Sequence, residues 1–427
     1  MYLGVYQLLW KMAPPLVRRY LRKRGRNAPA YLQHWGERFG EPYPAPIQGA
    51  IWIHAVSVGE TRAAAPIIAA LKKHFPAAPL LLTQMTPTGR ETAEQLYPDA
   101  QCRYLPYDRP DYVAQFLQEH RPMFGVLMET ELWPNWILGA DQAHVPLFLA
   151  NARLSEKSLR GYQKAASLFT PAMAKLSAVF SQTEADAERL RLLGAQQVSV
   201  CGNSKYDIAP PQAALDLAAD FKTRIGMRPV IVCGSTRVDK QGVDEAELML
   251  RAWQSADSNA LLVIVPRHPE RFDTVFQAAL NLGFKTQKRS DGESVAADTQ
   301  VWIGDSMGEL FAYYACCNVA FVGGSLVDTG CQNVIEPIAC GKPTLFGYST
   351  YNFQAACDAA VAAGVAKQVH TADEWRVSTL ALLQNAEQQV AMQQQAQAFI
   401  HAHQGASLRI AEQIAQCYRK LSFDSKG

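Results

Sequence analysis

The chain lacks a strong charge of either sign: 41 basic and 39 acidic residues among 427 leave a net charge of +2. That balance excludes a global field drawing the whole molecule onto nucleic acid. It lacks any Cys-x-x-Cys pair. Its nine cysteines are scattered, with only Cys316 and Cys317 adjacent, so neither a zinc nor a redox spacing is present. Cys201, Cys233, Cys316 and Cys340 stand in apolar surroundings, which suits buried thiols in a reducing compartment. There is no Walker loop and no Gly-x-Gly-x-x-Gly after a strand, which argues against a dinucleotide oxidoreductase. No low-complexity tract and no solenoid-period repeat occurs. The composition that remains is that of an ordinary globular protein, long enough for two domains with full cores.

Acidic residues are missing from the N-terminus until Glu37. Residues 1–17 are mostly apolar, interrupted by Lys11, and Pro14-Pro15 should end any helix there. The run is too short and broken for a transmembrane span and has no small-residue cleavage site for a signal peptide. Arg18, Arg19, Arg22, Lys23, Arg24 and Arg26 follow. An apolar segment carrying Tyr2, Leu3, Val5, Tyr6, Leu8, Leu9 and Trp10 ahead of a basic cluster predicts a membrane-surface anchor over residues 1–28, its charges on anionic lipid. The positive charges place it on the cytoplasmic face. A solvated basic face, or a nucleic-acid patch confined to residues 18–26, are the competing readings.

Next come Tyr31 to Gly40, a compact aromatic segment, and then Ile51-Trp-Ile, an apolar β-prone run that breaks at Ser57-Val-Gly59. Ala63, Ala64, Ile67, Ile68 and Leu71 recur at helical spacing, predicting a helix from about Glu60. Strands are further expected at 80–83, 124–128, 145–150, 178–181 and 198–200, each followed by a polar or Gly-rich turn and a helix. This is a doubly wound α/β domain, assigned to residues 29–208. After Ile208-Ala-Pro-Pro211 the alternation restarts with strands at 229–233, 260–265, 300–303, 319–322 and 343–346, giving a second α/β domain over 209–427. Two such domains facing each other make a cleft between the carboxyl edges of their sheets, where ligands bind.

Glu60 stands at a helix start on such an edge. It either caps the dipole or serves as a general base. In the second half, Gly323-Gly324-Ser325 after a strand offers backbone N–H groups to an anion. Arg267 can neutralise a phosphate, Met307-Gly-Glu309 opens a helix, and Glu336 can accept from ribose hydroxyls. Taken together they point to a nucleotide-monophosphate or sugar-nucleotide site.

Six ordered motifs carry a resemblance: His54-Ala-Val-Ser-Val-Gly-Glu60, Met128-Glu-Thr-Glu-Leu-Trp-Pro134, Asn151-Ala-Arg-Leu-Ser155, Val265-Pro-Arg-His-Pro-Glu-Arg-Phe272, Gly304-Asp-Ser-Met-Gly-Glu309 and Val322-Gly-Gly-Ser-Leu326. With them the chain resembles the 3-deoxy-D-manno-octulosonic acid (Kdo) transferases of Gram-negative lipopolysaccharide synthesis. The resemblance implies an α/β GT-B fold of two Rossmann-like domains facing across a cleft, with an N-terminal membrane anchor. It implies transfer of Kdo from CMP-Kdo to a lipid A precursor (lipid IVA), without metal or cofactor. It makes Glu60 the catalytic carboxylate, and Pro266, Arg267, Met307, Gly308, Glu309, Asn333, Val334, Ile335 and Glu336 the CMP-binding positions. Glu129 matches a second acidic residue that orients substrate. Arg153 and Lys205 suit the Kdo carboxylate or lipid phosphates by charge. The family usually shows Gly-Gly-His-Asn where this chain has Gly330-Cys-Gln332-Asn, so a proton-donating role there is replaced by an amide that can still donate to phosphate. Another GT-B enzyme or an epimerase using a uridine nucleotide, or a nucleotide-holding membrane protein without chemistry, are the alternatives.

Overall fold

In the computed structural model, residues 2–26 and 28–424 are described. Met1, Asn27 and residues 425–427, at the limits of the expected segments 1–28 and 209–427, lie outside the described residues.

The first unit comprises Met1–Asp207 and Gln404–Gly427. Its strands are β1 (Ile51–His54), β2 (Leu80–Gln84), β3 (Gln101–Tyr104), β4 (Phe124–Met128), β5 (Leu147–Ala152), β6 (Ala178–Ser181) and β7 (Val198–Val200). All pair in parallel, in the order β3-β2-β1-β4-β5-β6-β7. Residues alternate across each strand, so Trp52 enters one apolar core with Phe116 and Trp136, while Ile51 and Ile53 enter the other with Ile67 and Phe124. Both faces are covered, which is why β1 is apolar throughout its first three residues. Chain order runs outward from β1 on one side and from β4 on the other, so the switch point lies between them.

β3 was not expected: it is an edge strand with two of its four residues only half-buried, and its pattern is polar. The helix after β1 spans Val58–His74 and starts two residues before Glu60, with Ser57 in extended conformation ahead of it.

The final helix, Ala406–Asp424, packs Ile410, Ala411 and Ile414 into the core of the first unit. Asp207 caps it, accepting from Ser407 N–H at 2.6 Å. The second unit therefore closes at His403, and the expectation of a domain running through to residue 427 is corrected in its last stretch. An amphipathic helix carries no local mark of which core it will join.

At the N-terminus the first helix, Leu3–Met12, ends before Pro14, as proline requires, but Pro14 then opens a second helix, Pro14–Gly25. At the first helical position its missing N–H costs nothing. Tyr6 and Trp10 turn inward: the Tyr6 hydroxyl donates to Asp108 at 2.6 Å, and Trp10 stacks on Tyr107. Tyr2, Val5, Leu8, Leu9, Met12 and Leu16 face outward, exposed. Part of the basic cluster is packed, with Arg18 over the Phe39 ring and Arg24 over Tyr31. Among the described residues no helix is long and apolar enough to cross a membrane.

The second unit, Ile208–His403, holds β8 (Val230–Thr236), β9 (Leu261–Pro266), β10 (Thr286–Lys288), β11 (Val301–Ile303), β12 (Val319–Val322), β13 (Thr344–Phe346) and β14 (Ala366–Gln368). They too are all parallel, ordered β10-β11-β9-β8-β12-β13-β14. The two outermost strands, β10 and β14, are short and polar, and the sequence pattern missed both.

Candidate active site

At the switch point of the first unit, three carboxylates gather after β1 and β4. The Glu60 Oε2 accepts from the Val56 N–H at 2.8 Å, and its Oε1 from the Ser57 hydroxyl at 3.2 Å. The carboxylate thus closes the turn ahead of its own helix, as the capping reading holds. Its proton affinity is nevertheless raised, to a pKa of about 7. Burial is the main cause, and the charges of Glu129 and Glu131 add to it against those two hydrogen bonds. A carboxyl group poised there exchanges protons near neutrality.

Glu129 follows β4 directly, buried and in left-handed backbone conformation (φ 57°). Lys205 Nζ meets its Oε1 at 2.7 Å and Arg153 Nε its Oε2 at 3.3 Å. Those three sequence-predicted residues therefore form one cluster, drawn from the ends of β4, β5 and β7. Asn151, also left-handed (φ 52°), holds the base of this group by accepting the Ser204 N–H at 3.0 Å. Left-handed backbone at non-glycine residues is strained, and it concentrates at functional edges. Glu131 was not predicted. Burial and Glu129 raise its pKa, and it accepts from Trp133 Nε1 at 2.6 Å. His54, prominent in the first motif, is structural. Its fully buried ring donates Nδ1–H to the Thr83 carbonyl at 3.0 Å, tying β1 to β2, and burial lowers its pKa to about 4.

In the second unit the predicted nucleotide residues follow β9, β11 and β12, which with β8 are neighbours in the order β11-β9-β8-β12. Pro266 ends β9, and the Arg267 N–H donates to the Thr236 carbonyl of β8 at 3.0 Å. Met307 and Gly308 form an exposed turn after β11, with Gly308 at φ 79°. Glu309 is held by both Nε and Nη2 of Arg289 at 3.0 Å and by the Ser306 hydroxyl at 2.6 Å. Asn333 accepts the Ile335 N–H at 3.1 Å and donates to Glu336 at 3.3 Å, opening the short helix Ile335–Ala339. The side chains of Val334 and Ile335 are in the core, which leaves only their backbone for the expected nucleotide contact. Gln332 donates its N–H to the Gly323 carbonyl at 3.0 Å, folding its loop back over the glycines.

One expectation is corrected here. The N–H groups of Gly324, Ser325 and Leu326 are not open to an outside anion, because the buried Glu245 carboxylate accepts all three at 2.6, 3.0 and 2.8 Å. The close turn itself is as predicted: a Cβ on Gly323 would lie 2.6 Å from the Ser235 carbonyl oxygen, and Gly324 has φ 71°. Positive charge at this edge comes instead from Arg267 and from Arg237, which the sequence reading passed over. Both depress the pKa of the neighbouring His268, after burial. A strand end with a lone arginine gave no stronger signal. Among the described residues no three or more His, Cys, Asp or Glu side chains are arranged so as to hold a metal ion.

Two parallel seven-stranded sheets with ionisable groups on their carboxyl edges define a pair of doubly wound α/β units. A UDP-GlcNAc 2-epimerase from Neisseria meningitidis has this fold, superposing with a TM-score of 0.55 over 87% of the chain and 100% of its own, at 16% identity. Sequence comparison is more specific. Residues 33–208 match the model of the 3-deoxy-D-manno-octulosonic-acid transferase (kdotransferase) family. A 3-deoxy-D-manno-octulosonic acid transferase from Bordetella pertussis is 37% identical over 96% of this chain and 98% of its own length. Another from Haemophilus influenzae is 36% identical over 82% of each. The chain belongs to the 3-deoxy-D-manno-octulosonic acid transferase family and is a glycosyltransferase.

Proposed function

We propose that this protein transfers Kdo from CMP-Kdo to a lipid A precursor of the lipid IVA type in lipopolysaccharide core biosynthesis, with Glu60 as general base. The observation that carries the reading is the Glu60 carboxylate, set at the switch point and with a pKa of about 7. Such a group is half ionised near neutral pH and takes the proton from an acceptor hydroxyl as that oxygen attacks. Attack on the face opposite the departing CMP inverts the anomeric carbon. Negative charge then grows on the leaving phosphate. Arg267 and Arg237 supply the compensating charge, with Pro266, the Met307–Gly308 turn, Glu309 and the Asn333–Glu336 segment around the nucleotide and Gln332 donating an amide hydrogen bond. Fixed positive charge and base take the place that a metal holds in other glycosyl transfers, so neither metal nor cofactor enters the scheme. Glu129, itself held by Lys205 and Arg153, orients substrate, and those two cations suit its carboxylate or phosphates.

The outward row Tyr2, Val5, Leu8, Leu9, Met12 and Leu16, with exposed Arg19, Arg22, Lys23 and Arg26 beyond it, supports seating on the anionic cytoplasmic face of the inner membrane, where a lipid acceptor resides. The test is incubation with freshly generated CMP-Kdo and a tetra-acylated lipid A precursor, read by mass spectrometry. The expected product is heavier by one or more Kdo units. Folded protein with intact CMP-Kdo and no product would refute the reading and redirect the search to uridine nucleotides.

A further inference from the structure

Glu245 is fully buried at the start of the helix Glu245–Trp253, and the chemistry above makes no use of it. Its Oε2 accepts from the N–H groups of Gly324 at 2.6 Å and Arg237 at 3.1 Å, and its Oε1 from Leu326 at 2.8 Å and Ser325 at 3.0 Å. In return the Glu245 N–H donates to the Arg237 carbonyl at 3.0 Å. The donors lie on two loops, one after β8 and one after β12, at the switch point of the second sheet. A glycine turn after a strand is an anion cradle. Here a carboxylate of the protein fills it: burial raises the Glu245 pKa to about 7, and the four N–H donors work against that rise in favour of the ionised form.

The same cradle is tied on its other side. The Ser325 hydroxyl donates to the Val322 carbonyl at 2.6 Å and accepts the Gly347 N–H at 2.7 Å. Cys331 and Gln332 donate their N–H groups to the Gly324 and Gly323 carbonyls at 2.8 and 3.0 Å. Three side chains lie over it: a Cβ on Gly324 would stand 2.9 Å from Thr329 Oγ1, 3.2 Å from Arg237 Cδ and 3.3 Å from Gln332 Nε2.

We propose that Glu245 is a positioning residue of the donor site, a resident anion that fills the cradle, locks the loops after β8 and β12 together, and so places Arg237 and Gln332 against the donor phosphate. The proposal rests on the reading of this unit as the CMP-Kdo site. It assigns the phosphate to side chains and withholds it from the Gly324–Leu326 amides. Replacing the carboxylate by an amide puts an NH2 group against two of the four N–H donors and breaks those two hydrogen bonds.

Two experiments test it. In Glu245→Gln, shown folded by circular dichroism, kcat/KM for CMP-Kdo falls about tenfold or more, with acceptor KM unchanged. Glu245→Asp keeps the charge but is one methylene short, and falls between. A folded Glu245→Gln with the parental kcat/KM for CMP-Kdo would overturn the proposal, as would equal losses in the KM of donor and acceptor. If that variant does not fold, hydrogen exchange on the unmodified protein decides. The peptide over residues 323–327 should be protected without nucleotide and unchanged by CMP, while peptides containing Arg267 and Met307 gain protection. Fast exchange at 323–327 that slows only on adding CMP would show the amides to be the phosphate site, and would refute the role of Glu245. Protection at 323–327 with no CMP effect anywhere in the unit would sink the donor reading, and with it the positioning role, while leaving the internal anion in place.

Discussion

Replacing Glu60 by Gln isolates its basicity from its place in the fold. The amide carbonyl can still accept the Val56 N–H, so the turn before the helix Val58–His74 is kept. What is lost is the proton acceptor, and general-base contributions of about 10²–10⁴ set the expected fall in kcat, with donor KM little changed. The pH profile is the sharper readout. The base acts when ionised, and Glu60 is raised to about 7 chiefly by burial, with Glu129 and Glu131 adding repulsion. The parent rate should therefore climb with pH through about 7 and level above it. At pH 6 roughly a tenth of the molecules carry the ionised base, so kcat should be about tenfold below its plateau. Glu129→Gln removes the larger of the two repulsions, so its acid limb should move to lower pH. The assay is initial rate at saturating substrates from pH 5 to 9, with CMP release as signal. A Glu60→Gln variant within tenfold of the parent, or a parental limb near 4.5, the ordinary glutamate value, would refute the assignment.

Lys205→Met leaves the buried Glu129 with only its longer contact to Arg153, and should cost about 1–3 kcal/mol in urea unfolding; an unchanged midpoint would show the pair to be dispensable. His54 has a folded pKa near 4 against an ordinary 6.5, so the folded state binds fewer protons and its contribution is lost as pH falls through that window. Relative to the parent, His54→Gln should therefore gain about 1 kcal/mol per pH unit between pH 6 and 5, and a pH-independent difference in urea midpoints would contradict this. Leu9→Asp with Leu16→Asp changes two exposed side chains, so thermal stability should hold while flotation with anionic vesicles is lost; retained flotation would refute the anchor. Asp108→Asn weakens the acceptor for Tyr6 and for the N–H groups of Asn135 and Trp136, and should lower stability by about 1–2 kcal/mol in thermal denaturation.

By itself the sequence determined the alternation of strand and helix, because apolar runs such as residues 51–53 and Leu261–Pro266 need burial on both faces wherever they lie. It also placed Glu60, Glu129 and Arg267 at strand ends, since the turn residues that stop a strand are local. The weak edge strands β3, β10 and β14 escaped it, their pairing being settled by neighbours rather than by their own polar residues. Tertiary structure decided everything that joins distant segments. Lys205 and Arg153 meet Glu129 only because β4, β5 and β7 belong to one sheet. The last helix returns to the first unit because its apolar face fits that core. The glycine turn, legible as an anion cradle, turned out to be filled from within by Glu245, about 80 residues upstream in the chain. A cradle's shape is written in its own few residues, whereas the anion that occupies it is chosen by whatever the fold brings alongside.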